Sequence, residues 1–166
     1  MDFWQAMEAR QSVRAFDQQR DVPPDVVTRL LHAAIRAPSA GNCQPWHFFV
    51  VRDQETKKAL ARAALNQWFL SEAPVVIVVC ADPERSARRY GDRGRNLYSL
   101  QDTAAAAENL LLAAVASALA GSAPSTRMQP RKPSTCPRTC APWPWSRSVI
   151  RPNSPGARQI VFPWTQ

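Results

Sequence analysis

Arg10-Gln-Ser-Val-Arg14-Ala-Phe16, and further on Ala37-Pro-Ser-Ala-Gly-Asn-Cys-Gln-Pro-Trp-His-Phe48, are the two stretches on which the reading of this chain turns. The first sets two guanidinium groups around a hydroxyl. Planar guanidinium forks match oxyanions better than a point charge does, so Arg10, Ser12 and Arg14 have the chemistry of a phosphate grip. Two solvated arginines around a turn are the ordinary alternative for this triplet by itself. The second stretch is a loop of small residues that enters an apolar strand, and such a loop lets a flat ring approach the backbone. Together the two point to a ligand carrying both a phosphate and a planar ring.

Outward from these stretches the chain alternates helices and strands. Residues 3–10 read as a helix with Asp2 placed to cap its free amides. The chain then extends through Val13 to Phe16. Pro23-Pro24 opens a second helix, since proline is tolerated in the first turn. Val26, Val27, Leu30, Leu31, Ala34 and Ile35 give it one apolar face, and Ala37-Pro38 closes it. Trp46–Arg52 reads as a buried strand and residues 54–66 as a short amphipathic helix. Ala73–Ala81 is rich in consecutive β-branched residues, which suits a strand covered on both faces. From about Leu100 to Ala120 an Ala/Leu-rich helix is apolar on nearly all sides, so it must lie deep in the core or in a subunit interface. This pattern predicts an α+β fold, a three-layer sandwich of helices around a few central strands.

Composition narrows the function classes. The formal charge of +8 suggests a polyanionic partner only if it is spread over the molecule. It is not: residues 1–120 hold 14 Lys/Arg and all 13 acidic residues, whereas residues 121–166 hold 7 Lys/Arg and no acid. The globular part is nearly neutral. Four cysteines in 166 residues do not make a disulfide framework, and Cys43 and Cys80 read as small buried hydrophobes. With only His32 and His47 available, and both far in sequence from Cys136 and Cys140, no metal site is expected. Neither a G-x-G-x-x-G nor a Walker loop is found, so a Rossmann or P-loop nucleotide site is not supported. The start lacks the basic and apolar regions of a signal peptide, and no apolar run reaches membrane-spanning length. A cytoplasmic location, with no membrane or nucleic-acid partner, is expected.

The pattern R-x-S-x-R-x-F followed by A-P-S-x-x-N-x-Q-P-W resembles the FMN-dependent nitroreductase family, over about residues 4–120. The resemblance implies the nitroreductase-like three-layer α/β/α sandwich, here with an incomplete C-terminal part, and a homodimer. It implies that Arg10 holds the FMN phosphate with Gln11 and Ser12 beside it. Arg14 then lies near the pyrimidine edge of the ring, where positive charge favours the reduced flavin. Pro38, Ser39 and Ala40 match the loop that packs on the isoalloxazine from the other subunit. Asn42, with Gln44, pins that loop, and Gln67 matches an amide that reaches the pyrimidine. The implied activity passes hydride from NAD(P)H through FMN to a small-molecule acceptor, a nitroaromatic, a quinone or a similar compound. It needs no acid–base residue for its central step. Two other flavin chemistries share this scaffold, dehalogenation and flavin destruction. A reading from a different class is a non-catalytic, basic-tailed protein that binds nucleic acid. Trp46 and His47 read as structural, His47 because it has no carboxylate partner in view, and Asp102 reads as a cap or first-turn charge.

The resemblance stops after Gly121. The expected organisation is a flavin-binding domain over 1–121 and a Pro/Arg-rich tail over 122–166, disordered and out of frame. Nine of the 15 prolines and three of the six tryptophans fall in that tail. Codons allowed for Ser122–Pro130, regrouped one base earlier, spell VGAFDEDAA, and those for Thr135–Pro152 spell DLPEDVRPVAMVPIGYPA. Acids return and the text becomes family-like, which predicts a change of reading frame near residues 118–122.

Overall fold

The computed structural model describes residues 1–119 and 157–160. Helix α1 (Phe3–Ala9) starts as the sequence predicts. The Asp2 carboxylate accepts from the Gln5 amide at 2.9 Å, and the Gln5 side chain accepts from the Asp2 amide at 3.0 Å, a reciprocal cap. Helix α2 (Pro24–Ala34) buries Val27, Leu30, Leu31 and Ala34 on its apolar face. Strand β1 (Trp46–Val51) follows the small-residue loop. Helix α3 (Gln54–Ala63) is capped by Asp53 and ends three residues before the predicted 66. Leu65 and Asn66, with φ of 57° and 60°, turn the chain out of the helix. A short helix α4 (Phe69–Glu72) precedes strand β2 (Val76–Ala81). Helix α5 (Pro83–Arg93) is capped by Asp82 and runs through a π turn at Gly94–Tyr98 into α6 (Ser99–Leu119).

The sheet has the order β2-β1-β3, both pairings antiparallel. Trp46 pairs with Ala81 and Val51 with Val76. Strand β3 (Ala157–Ile160) pairs Ile160 with Phe48 and Ala157 with Val51. These four residues fall within the segment expected to be a tail; the rest of that segment lies outside the described residues. β1 is the central strand, and both of its faces are covered. Trp46 and Phe48 are buried on one side, Phe49 and Val51 on the other. Trp46 and Phe48 join Val27, Leu31, Ala34, Ala37 and Ala106 in the principal core, with Ile77 and Val79 of β2 packed alongside.

Two expectations need correction. β2 is not covered on both faces: all six of its residues are half-exposed, because it lies at the edge of the sheet among the described strands. The β-branched composition that suits a central strand thus sits on β2, while the central place is held by β1, Trp-His-Phe-Phe-Val-Val. Cys43 and Cys80 are likewise half-buried rather than buried. α6 turns a stripe of Ser99, Asp102, Thr103 and Ala106 inward, spaced for one helical face, while Leu100 and Leu111 are 58% and 46% exposed. Its buried side is thus polar and small, and much of its apolar side is uncovered.

Candidate functional site

The loop from Ser39 to Pro45 is held by hydrogen bonds both within itself and from two helices. Gly41, Asn42 and Gln44 have φ of 55°, 54° and 49°, a left-handed geometry that side chains adopt only when their surroundings impose it. Inside the loop, Ser39 Oγ accepts from the Gln44 amide at 3.0 Å and Asn42 Oδ1 accepts from Gln44 Nε2 at 2.6 Å. From outside, four side chains on two helices fix its backbone. Asp102 Oδ2 accepts from the Ala40 amide at 3.1 Å, and Thr103 Oγ1 donates to the Pro45 carbonyl at 3.0 Å. Arg85 donates to the Gln44 carbonyl and Arg89 to the Gly41 carbonyl, each at 2.9 Å. A Cβ on Gly41 would press on the Tyr90 hydroxyl and the Arg89 guanidinium and would have to adopt a φ of 55°, a conformation that favours glycine.

The Arg10–Phe16 segment is extended and open. Arg10, Gln11, Ser12 and Arg14 are all exposed. Arg10 Nε lies 3.5 Å from Glu108 on α6. The Arg14 guanidinium sits 6.0 Å from the centre of the Phe69 ring, which also meets Phe16. Gln67, two residues before Phe69, is half-buried, and its amide donates to the Ala61 carbonyl at 3.0 Å. Arg14 and Gln67 are therefore brought to one corner, between α3 and α4. The arginine segment and the small-residue loop attach to different turns of the same helix. Asp102 and Glu108 are six residues apart, which is about 9 Å along α6. Pro38 is exposed and Ser39 and Ala40 half-buried, so this part of the loop presents backbone and small side chains outward.

One site residue departed from its sequence reading and another does more than that reading gave it. Asp102 lies in the first turn of α6, as expected, and its carboxylate reaches across the fold to the loop. Burial pushes its carboxyl above the ordinary value, and the Ala40 amide offsets that only in part. His47 does have a carboxylate partner: its Nε2 lies 3.2 Å from Asp82 Oδ2. Burial works against the Asp82 charge. The Arg85 amide, the His47 ring and the Arg85 guanidinium outweigh it and hold the carboxyl below its usual range. Trp46 is a core residue, as expected, although its Nε1 and Gln44 Oε1 have no hydrogen-bond partner among the described residues. Arg85, Arg89, Tyr90 and Thr103 were not singled out from the sequence. Their contacts to the loop span 41 to 58 residues, beyond any local pattern, and only the four-residue spacing of Arg85 and Arg89 hinted at a shared helix face. Among the described residues no group of three or more His, Cys, Asp or Glu is placed to hold a metal ion, and no helix is long and apolar enough to cross a membrane.

Residues 7–70, which include both stretches, match the model of the nitroreductase family. This segment belongs to the nitroreductase family. The match is broader than the motif. An NADH dehydrogenase of Thermus thermophilus is 49% identical over 75 residues, 45% of this chain and 36% of that protein. A nitroreductase family protein from Clostridium novyi superposes with a TM-score of 0.62 at 29% identity, covering 70% of this chain and 65% of its own. The NADPH:FMN oxidoreductase of Vibrio harveyi, solved with NAD+, gives a TM-score of 0.61 at 26% identity over 69% and 52%. The fold is that of the nitroreductases. The chain spans about half the length of the curated relatives it matches.

Proposed function

We propose that this chain is an NAD(P)H-dependent oxidoreductase that works through FMN and passes reducing equivalents to a nitroaromatic, a quinone or a similar small acceptor. The observation that carries this reading is the Ser39–Pro45 loop, whose backbone is fixed by Asp102, Thr103, Arg85 and Arg89 while its small residues stay accessible. A loop held at this many points is preorganised to meet a rigid planar ligand, and little ordering entropy is left to lose.

The residues present fit FMN. Arg10, Ser12 and Arg14 supply two guanidinium forks and a hydroxyl on an open segment, which suits a terminal phosphate. Gln67 and Arg14 share the corner expected at the pyrimidine edge. When bound, the flavin supplies the hydride chemistry; the chain's residues hold it, orient it and set the charge beside it. As the family resemblance implies, the proposed pocket takes its ring-packing loop, Pro38–Ala40, from one protomer and its arginine segment from the other. The proposed state is a homodimer in the cytoplasm, and the uncovered Leu100 and Leu111 lie on the helix expected at the interface. The test is FMN titration of the 166-residue chain and of its frame-restored counterpart, followed by anaerobic addition of NADH or NADPH. Bound flavin should lose its absorbance on reduction. The reading fails if neither version binds FMN, or if neither nucleotide reduces it.

A further inference from the structure

The segment from Arg85 to Arg95 holds five arginines, and they are not equivalent. Arg85 faces Asp82, and Arg95 is paired with both Glu84 at 2.9 Å and Asp92 at 2.8 Å. Arg89 and Arg93 have no carboxylate within ion-pair distance among the described residues. Each instead rests on a tyrosine ring. The Arg89 guanidinium is 5.7 Å from the centre of Tyr90 and that of Arg93 is 5.3 Å from Tyr98. The two rings meet edge to face at 5.2 Å. Arg89, Tyr90, Tyr98 and Arg93 thus form one continuous cluster, with half-buried rings and exposed guanidinium groups. It adjoins the loop, because Arg89 donates to the Gly41 carbonyl and the Tyr90 hydroxyl lies against Gly41.

We propose that this cluster binds the ribose-bound phosphate of the pyridine nucleotide donor, so that the phosphorylated donor, NADPH, is preferred over NADH. Arg89 uses one of its five N–H donors on Gly41 and keeps the others for a ligand. The tyrosine rings restrict both forks, so less side-chain freedom is lost when they close on an anion. Arginine is the side chain that accommodates this phosphate in dinucleotide sites of other folds. Charge alone does not single out the cluster, since Arg88 is exposed on the same helix but contacts neither ring pair nor loop in the described structure. That makes Arg88 the control.

The proposal rests on the reading that a pyridine nucleotide is the donor, and its test does not need bound flavin. Calorimetric titration of the full chain would compare adenosine 2′,5′-bisphosphate with adenosine 5′-monophosphate at fixed ionic strength. The bisphosphate should bind about ten-fold tighter or more, as one charge-assisted contact supplies. Arg89→Gln and Arg93→Gln should each remove most of that difference, and Arg88→Gln should leave it within about two-fold. Tyr98→Leu should reduce it and Tyr98→Phe restore it, because the ring and not the hydroxyl carries Arg93. Circular dichroism of each variant separates lost binding from lost fold. Equal affinity for the two probes, binding of neither, or an Arg88→Gln loss as large as that of Arg89→Gln overturns the proposal. Discrimination that persists in a protein unable to bind FMN would count against the flavin reading alone.

Discussion

Replacing Asp102 separates two things that its carboxylate does. It accepts from the Ala40 amide at 3.1 Å, and it carries a charge at a position only 9% exposed. Asp102→Asn keeps an acceptor of the same shape and removes the charge; Asp102→Leu removes both. A hydrogen bond to an ionised group contributes about 1.5–3 kcal/mol and a neutral one about 1 kcal/mol, so losing the acceptor costs in that range. Against this stands burial, which lifts the folded carboxyl above its ordinary value even with the Ala40 amide bound. The ionised form is thus less favourable in the folded chain than in the unfolded one. The sign follows: the folded state is relatively favoured below the unfolded value near 3.8, and this advantage is lost as the pH rises through the raised folded value. Asn escapes that loss. At pH 7 urea unfolding should rank Asp102→Asn at or above the parent, and Asp102→Leu below it by about 1–3 kcal/mol. The gap between Asn and the parent should close as the pH falls toward 3.8. If Asp102→Asn proves as damaging as Asp102→Leu at neutral pH, the charge and not the acceptor holds the loop, and the reasoning is wrong.

Gly41→Ala places a Cβ against Tyr90 and Arg89 at a φ of 55°, and should cost about 1–3 kcal/mol in urea unfolding; unchanged stability would show that the loop is free to move. Arg10→Ala should weaken FMN by about 1.5–3 kcal/mol and riboflavin far less, while equal losses would remove Arg10 from the phosphate. Sedimentation of the flavin-loaded protein at micromolar concentration should show a dimer, and a loaded monomer would contradict the shared pocket. The version with its frame restored after about residue 120 should purify yellow and soluble, whereas the chain as written should associate and retain little flavin, because apolar α6 side chains stay exposed; a stable, fully flavinated 166-residue chain would make the existing tail a genuine part of the fold.

Element positions were legible where local chemistry decides them. Asp2 before Phe3, Pro23-Pro24 before the apolar face of α2, the apolar run of β1 and the β-branched run of β2 each mark an end or a period that a short window contains. Which strand is central was not legible, because Val76–Ala81 and Trp46–Val51 both read as buried and only the pairing order separates them. The two motif stretches stood out, and Asn42 and Gln44 do pin their loop to each other. The residues that fix that loop from outside did not stand out. An aspartate in the first turn of a helix looks the same in sequence whether it faces its own amides or an amide 62 residues back. His47 was misread for the same reason, with Asp82 lying 35 residues away across the sheet.

The way the Ser39–Pro45 loop is held also fixes when it can form. Every outside tie among the described residues comes from later in the chain: the Asp82 amide and the side chains of Arg85, Arg89, Asp102 and Thr103. Closing connections of 37 to 62 residues carries an entropic penalty that local turns do not, and long-range contacts of this kind slow folding. During synthesis the loop and its three left-handed residues lack their full set of outside ties until the start of α6 has emerged. A nascent or proteolysed chain that stops before Thr103 can contain both recognisable stretches and still lack the surface they build.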